Sequence, residues 1–202
     1  MSTQSSMHVY LNWAKERLHE MDAALDSFDA TAAKAEAASK VKAAEIIADL
    51  KKRRGELEAM LKTQSEAGEA ALAGAKTELD RQWAEFETQM KAYFENAGKQ
   101  VDQQQATFKQ IAAAQAKAWQ ETTNRFREAA AKVTMAGTTD IDAVLKQLRS
   151  DASEAGARLE KLKQTGSESW SVLSAALSDS RKAFDQANQA AWNALKGSAP
   201  KG

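Results

Sequence analysis

The chain has 202 residues, of which 43 % are hydrophobic, 6 % aromatic and 28 % charged, with 28 basic residues balancing 28 acidic ones. Much of the hydrophobic share is alanine, so the few large apolar side chains can fill narrow seams between helices but not a broad globular core. The balanced charge argues against a nucleic-acid-binding protein, and the absence of cysteine excludes a disulfide framework and thiolate chemistry.

The same composition predicts an all-α fold. Helix-forming residues dominate, the single proline can interrupt them only once, and no segment alternates polar and apolar residues as a strand does. We expect an elongated antiparallel bundle or hairpin of three long amphipathic helices with coiled-coil-like seams, forming one domain over residues 1–202. The predicted helices span 6–62, 66–136 and 139–196, followed by a tail at 197–202.

The first predicted helix carries a narrow seam whose apolar residues step alternately by four and three, which is the spacing of a coiled coil. The seam begins with Met7, Leu11, Ala14, Leu18, Met21, Leu25 and Phe28. It thins to small residues over 30–44. The first turn is ambiguous, because Gly55 follows four cations as a C-terminal glycine would, while Thr63 and Glu66 can form a capping box for the next helix. We place the turn near 62–66.

The central helix has the clearest pattern. Over 79–133 its large apolar residues fall on one side of an α-helix, with no proline between them. Asn96-Ala97-Gly98 is a weak point, but the seam crosses these residues without a change of phase, which favours one continuous helix. Gln104, Gln115 and Thr122 occupy seam positions, where a polar group costs stability unless it is hydrogen-bonded.

The boundary between the second and third helices is marked by Gly137, after which Thr139 and Asp142 have the spacing of a capping box. The third seam then steps by three and four and passes through Gly166. This continuity predicts a single helix that ends at Gly197.

The large side chains of the second and third helices are predicted to pack in the seams. They are Trp83, Met90, Phe108, Trp119, Phe126, Trp170 and Phe184. Tyr10, Trp13 and Trp192 are instead candidate contacts to a surface or a partner, because Trp13 lies off the line of its seam and Trp192 lies beside the seam residue Ala191. A tryptophan outside the packing stripe can anchor at a lipid interface, and the alternative is a widened seam in a three-helix core.

No group of residues indicates catalysis. His8 and His19 are about 16 Å apart along a helix, too far to share a metal. The chain has no HExxH motif, no paired Glu-x-x-His and no glycine-rich phosphate loop, and its serines have no histidine base at a plausible spacing. We therefore expect a protein that is not an enzyme, with no catalytic residue, no cofactor and no metal.

The basic run at 51–54, KKRR, has two interpretations. It can dock on an anionic surface or partner, or it can place cations at the negative pole of a helix end beside a turn.

The location of the protein is expected to be cytoplasmic. No apolar run approaches the length of a membrane span, so no transmembrane segment is predicted. The N-terminal residues lack the basic and apolar segments of a signal peptide.

The stretch KAFDQANQAAW at 182–192 resembles phasins, all-helical proteins that coat polyester storage granules in bacteria and typically lack cysteine. The long amphipathic helices resemble exchangeable apolipoproteins, although this chain lacks their proline-punctuated repeats. The segment AKAEAASKVKAAE at 33–45 is similar to late-embryogenesis-abundant proteins, from which the tryptophans and continuous seams differ. The first two resemblances imply the coating of a lipid or granule surface.

Two functions remain open on the sequence. The first is a non-enzymatic helical protein whose apolar stripes bind a hydrophobic surface, lipid or storage granule, or partner helices. The alternative is a coiled-coil scaffold or spacer that makes no lipid contact. Either function is compatible with a homo-oligomer, and neither involves nucleic acid.

Overall fold

The computed structural model contains six α-helices in the part of the chain that it describes. They are α1 (Ser2–Ala32), α2 (Ala37–Ala67), α3 (Glu69–Asn96), α4 (Val101–Lys132), α5 (Thr138–Thr165) and α6 (Trp170–Gly197). The structure describes the backbone of residues 2–32, 37–67, 69–96, 101–132, 138–165 and 168–197, and side chains within 7–30, 41, 43–63, 76–94, 101–131, 141–165 and 168–195. No strand occurs among these residues, so the all-α class is confirmed.

The prediction of three long helices is corrected to six, because each long helix is divided near its middle. The first helix of each pair ends at Ala32, Asn96 or Thr165, and the second begins at Ala37, Val101 or Trp170. Residues 33–36, 97–100 and 166–167 lie outside the described residues. A straight helix of the predicted length exposes most of its apolar stripe, whereas helices of about 45 Å can cover one another. Helix α1 packs on α2 and α5 packs on α6, while α3 and α4 both pack on α1. In the sequence, Gly98 lies between α3 and α4 and Gly166 lies between α5 and α6, and glycine weakens a helix. Nothing in the composition of 33–36, between α1 and α2, indicates a helix end.

The predicted turn at 62–66 is also displaced. Helix α2 continues to Ala67 and α3 begins at Glu69, so the connection is residue 68, which lies outside the described residues. Within α2 the Thr63 hydroxyl donates a hydrogen bond to the Ala59 carbonyl at 3.0 Å, so Thr63 does not cap a following helix. The boundary predicted at 137 falls between α4 and α5.

Helix α1 occupies the centre of the bundle. It packs against α2, α3, α4 and α6, while α5 lies at the edge and packs against α4 and α6. Helices α1 and α4 run in opposite directions, because the residues they pair ascend along α1 and descend along α4. The pairs are Asn12–Arg125, Glu20–Gln115 and Ser27–Thr107. A helix with four neighbours must bury nearly its whole circumference, so charged residues of α1 can lie inside the bundle.

The apolar interior forms two clusters. In the larger one Phe28 stacks on Tyr93, with ring centroids 4.1 Å apart, and meets Phe94 edge-on. In the smaller one Phe126 meets Trp192 edge-on at 5.7 Å. The structure buries all of the side chains predicted to pack in the seams, which are Trp83, Met90, Phe108, Trp119, Phe126, Trp170 and Phe184.

The basic run at 51–54 lies in the middle of α2, so its interpretation as a helix end is wrong. Each of its four cations pairs with a carboxylate. The pairs are Lys51–Asp29 at 2.8 Å, Lys52–Glu56 at 3.8 Å, Arg53–Asp49 at 2.8 Å, Arg53–Glu85, Arg54–Asp22 at 2.7 Å and Arg54–Glu58. The run therefore ties α2 to α1 and α3 through its cross-helix pairs.

Candidate functional site: a buried polar layer

A second stripe on α1 places charged residues inside the bundle. Beside the predicted seam, the residues Tyr10, Trp13, Arg17, Glu20 and Ala24 also step by three and four, and all five are buried. Because α1 has neighbours on most of its sides, this stripe is covered together with the first. This stripe consequently places two charged residues, Arg17 and Glu20, at positions that an ordinary core would fill with leucine.

Helix α6 supplies the partners of this stripe in antiparallel order. The Arg181 Nε–H donates to Glu20 at 3.0 Å, and Arg17 donates two hydrogen bonds to Asp185 at 2.7 and 3.0 Å. One turn further along, Asn12 donates to Asn188 at 3.1 Å. Arg181, Asp185 and Asn188 are separated by four and three residues, so they share the face of α6 that meets α1.

Helices α3 and α4 complete the layer. The Gln115 amide N–H groups donate to Glu20 at 2.8 Å and to the carbonyl of Leu177 at 3.0 Å, while the amide oxygen of Gln115 has no hydrogen-bond partner. Hydrogen bonds to the NH2 group therefore offset part of the cost of a polar residue in the central seam. From α3, the carboxylate of Glu87 lies 2.6 Å from Arg181. The polar layer, defined here as Asn12, Glu16, Arg17, Glu20, Gln115, Arg181, Asp185 and Asn188, therefore joins α1, α4 and α6 and touches α3.

Two tryptophans cover the guanidinium groups of the layer. The ring centroid of Trp83 lies 4.8 Å from Arg181 Cζ and 5.9 Å from Arg17 Cζ, and the centroid of Trp13 lies 5.0 Å from Arg17 Cζ. Aromatic faces attract cations and exclude water, so these rings strengthen the contacts of both arginines while keeping them desolvated.

Glu16 is the least well compensated carboxyl of the layer. Its side chain is 1 % exposed, one oxygen accepts from Arg17 at 2.5 Å, and the other oxygen has no hydrogen-bond partner. Burial, followed by the charge of Glu20, raises the pKa of Glu16 well above its ordinary value. Burial also raises the pKa of Asp185, although Arg17 opposes this shift. Both carboxyls thus favour the neutral form relative to water.

The arginines remain charged. Burial alone would lower the pKa of Arg17, but the adjacent carboxylates of Glu16 and Asp185 outweigh it and raise the pKa above the ordinary arginine value. The pKa of Arg181 is raised in the same way, because Glu20 and Glu87 outweigh the cost of burial. The layer therefore contains two arginines that stay charged, and their charge is balanced only by the carboxylates beside them.

The three aromatic residues predicted to contact a surface lie inside the closed bundle. Tyr10, Trp13 and Trp192 are all buried, and Trp192 stacks on His8 with ring centroids 4.3 Å apart. Burial raises the pKa of Tyr10 to about 12. Six short helices cover α1 and α6 more completely than three long ones would, so these residues reach a surface only if the helices separate. Their contact with a surface or partner stays a prediction.

Sequence reasoning missed the polar layer, because it treated charged residues as part of a solvated face. A signal was present in α1, where two stripes of apolar residues lie side by side and only a helix buried all round needs both. Arg17 and Glu20 interrupt the second stripe, so their burial follows from its spacing.

The described residues contain no group of three or more histidine, cysteine or carboxylate side chains placed to hold a metal ion. Within the same part of the chain, no helix has the length and hydropathy needed to cross a membrane. Comparison with protein-family models, with curated proteins and with solved structures finds no match.

Proposed function

We propose that this chain is a non-enzymatic helical protein that opens its bundle and lays its apolar stripes on a hydrophobic surface, such as lipid or a storage granule. Among the described side chains, the large hydrophobic residues that are exposed are Val41, Val101 and Val172, which lie on three different helices. Scattered valines do not form a docking patch. Binding to an apolar surface therefore requires the interior to become accessible.

The observation that carries this proposal is the buried polar layer. Removing two arginines and two glutamates from water costs free energy that their mutual attraction barely recovers, and an apolar interior of the same shape is often more stable. In an opened bundle lying on lipid, the charged groups regain water at the interface while the apolar stripes face the acyl chains. The layer thus narrows the free-energy gap between the closed and the opened arrangement.

A scaffold or spacer is the second candidate, and a specific observation favours it. The contacts Asn12–Asn188, Arg17–Asp185 and Glu20–Arg181 follow one another along α1 and α6 and are compatible with one register. Buried polar residues can serve to define register at the expense of stability. In that case the bundle stays closed and partner helices, including a second copy, would bind to its outside.

A reversible covalent lock separates the two functions. The hydroxyl oxygens of Ser27 on α1 and Thr107 on α4 lie 2.7 Å apart in the interior, and the chain has no cysteine of its own. The double variant Ser27→Cys/Thr107→Cys should form a single disulfide that holds these two helices together. Association is measured with anionic vesicles, neutral vesicles and triglyceride droplets, before and after reduction.

Opening predicts that the oxidised double variant loses at least tenfold in surface association and recovers it on reduction. The single variants Ser27→Cys and Thr107→Cys are the matched controls and should bind like the wild type. Equal binding by the oxidised and reduced forms would contradict opening. An absence of wild-type association with all three surfaces would favour the scaffold.

A further inference from the structure

Two arginines of the bundle make no ion pair with any described carboxylate, and both line the same groove. They are Arg127 on α4 and Arg149 on α5. Every other arginine of the chain pairs with a carboxylate, namely Arg17, Arg53, Arg54, Arg81, Arg125, Arg158 and Arg181. Arg127 and Arg149 also have no acidic residue three or four positions away in their own helices. Their charge is therefore available to an anion from outside.

The groove lies between α4 and the edge helix α5 and encloses about 530 Å³. Trp119 and Ala116 line it from α4, while Ala152 and Gly156 line it from α5. A side chain added at Gly156 would meet nothing within 4 Å, so the space opposite Trp119 is open. The volume is within the usual range for small-molecule sites.

Charge and apolar surface are separated along this groove. Arg127 and Arg149 lie towards one end, and at the other end Lys163 is neutralised by Glu160 at 3.0 Å. The fourteen positions from Arg149 to Lys163 span about 21 Å of helix. Between the ends, α5 contributes Ala152, Gly156 and Leu159, and α4 contributes Ala112, Ala116 and Trp119. The polar side chains of this part of the lining are Gln115, Gln120, Thr123 and Asn124 of α4 and Ser180 of α6. The groove is thus cationic at one end, with an apolar wall on α5 opposite a mixed polar and apolar wall on α4.

We propose that this groove binds one free long-chain fatty acid, with its carboxylate between Arg127 and Arg149 and its alkyl chain lying over Trp119 and Gly156. Guanidinium groups recognise carboxylates through charge-assisted hydrogen bonds, and the apolar wall on α5 offers a surface along which a single alkyl chain can lie. A bilayer phospholipid would keep its acyl chains in the membrane and leave the groove beyond the arginines empty. The site belongs to the closed bundle, so it does not depend on opening.

The test is calorimetric titration of the full chain with hexadecanoate, kept below the concentration at which it forms micelles. One molecule should bind per chain, and affinity should rise about fourfold for each methylene added from octanoate upward, for as long as the added group is buried. Arg127→Gln/Arg149→Gln should weaken binding by at least tenfold. Hexadecanol, which has no charge, should bind the wild type more weakly and should not distinguish the two proteins.

Gly156→Leu places a branched side chain in the channel and should abolish binding. Gly55→Leu is its matched control, because Gly55 is also a helical glycine with open space around it but lies on α2. Both substitutions improve helix propensity, so both proteins should fold, which a thermal melt verifies. Wild-type binding retained by Gly156→Leu would overturn the proposal, as would the absence of saturable binding to the wild type.

Two further outcomes distinguish this site from the proposed function. The oxidised Ser27→Cys/Thr107→Cys protein should bind hexadecanoate like the wild type, because its α4–α5 groove is unchanged, even though it is expected to lose vesicle binding. Vesicle association weakened by Arg127→Gln/Arg149→Gln, without any binding of monomeric hexadecanoate, would overturn the fatty-acid assignment in favour of a membrane headgroup.

Discussion

The ion pair between Arg181 and Glu20 provides the most direct test of the buried polar layer. Replacing Arg181 by methionine leaves the Glu20 carboxylate buried, with Gln115 as its donor in the described structure. Replacing Glu20 by methionine leaves the Arg181 guanidinium buried against Glu87. The double variant removes both charges and substitutes two flexible apolar side chains that favour helix.

The expected magnitudes follow from the burial of both groups, whose side chains are 6 % and 2 % exposed. Removing one partner of a buried pair destabilises by about 3–5 kcal/mol, because the remaining charge is not rehydrated. Because Gln115 and Glu87 keep their contacts with the remaining charge, each single variant should be destabilised by about 3 kcal/mol. Replacing both partners by apolar residues is often neutral or stabilising, so the double variant should lie within about 1 kcal/mol of the wild type.

Urea unfolding followed by far-ultraviolet circular dichroism measures these free energies at pH 7. The matched control is the exposed pair Arg158 and Glu154, where the same methionine cycle should give a coupling below about 1 kcal/mol. Effects of the Arg181 and Glu20 substitutions that add to within about 0.5 kcal/mol would refute the reasoning. If the double variant is more stable than the wild type, it should also associate more slowly with vesicles.

Three further predictions concern the core and its titrating groups. Phe108→Ala should lower the free energy of unfolding by about 3 kcal/mol, measured by urea titration, because Phe108 is fully buried, whereas Lys109→Ala at an exposed position should change little. Since the pKa of Glu16 is raised by burial, the contribution of Glu16 to stability is fully present below the ordinary pKa of 4.5 and is lost as pH rises through the raised value. Glu16→Gln should remove this loss, so the variant should match the wild type near pH 4 and exceed it at pH 7; a constant difference would contradict this. In the native chain, tyrosinate absorbance should appear only at pH values well above 10, because burial raises the pKa of Tyr10 to about 12 and also raises the pKa of Tyr93, the second of the two tyrosines. In urea, both tyrosines should titrate near the ordinary pKa of 10.0.

The helical class and the identity of the packed residues could be predicted from the sequence. Residues such as Phe108 and Trp119 fall on a stripe with the period of a helix, and this local signal does not depend on which helix lies opposite. Gly98 was visible as a weak point, whereas Gly166 was counted as part of the third seam, and the stripe continues in phase across both. Phase alone does not distinguish one straight helix from two shorter helices, because the choice depends on how much apolar surface each arrangement covers.

The polar layer and the α4–α5 groove could not be predicted in the same way. Arg17 and Arg181 lie far apart in the chain, and only the antiparallel packing of α1 on α6 brings them to the same tryptophan. Arg127 and Arg149 differ from the other arginines because they have no ion pair with a described carboxylate, and this difference can be recognised only when the ion pairs of the folded bundle are known. Propensity and periodicity are local, whereas the compensation of charge is a property of the assembled bundle.

The central position of α1 has a consequence for the order in which the protein assembles. Its hydrogen bonds to α6 join residues that are 161 to 179 positions apart in the chain. During synthesis α1 precedes the other described helices, yet Arg17 and Glu20 acquire their α6 partners only after α6 itself has been made. Long-range closure of this kind slows folding compared with bundles built from neighbouring hairpins. Until α6 arrives, the nascent chain displays both stripes of α1, which is the state in which chaperones or a nearby apolar surface would compete for it.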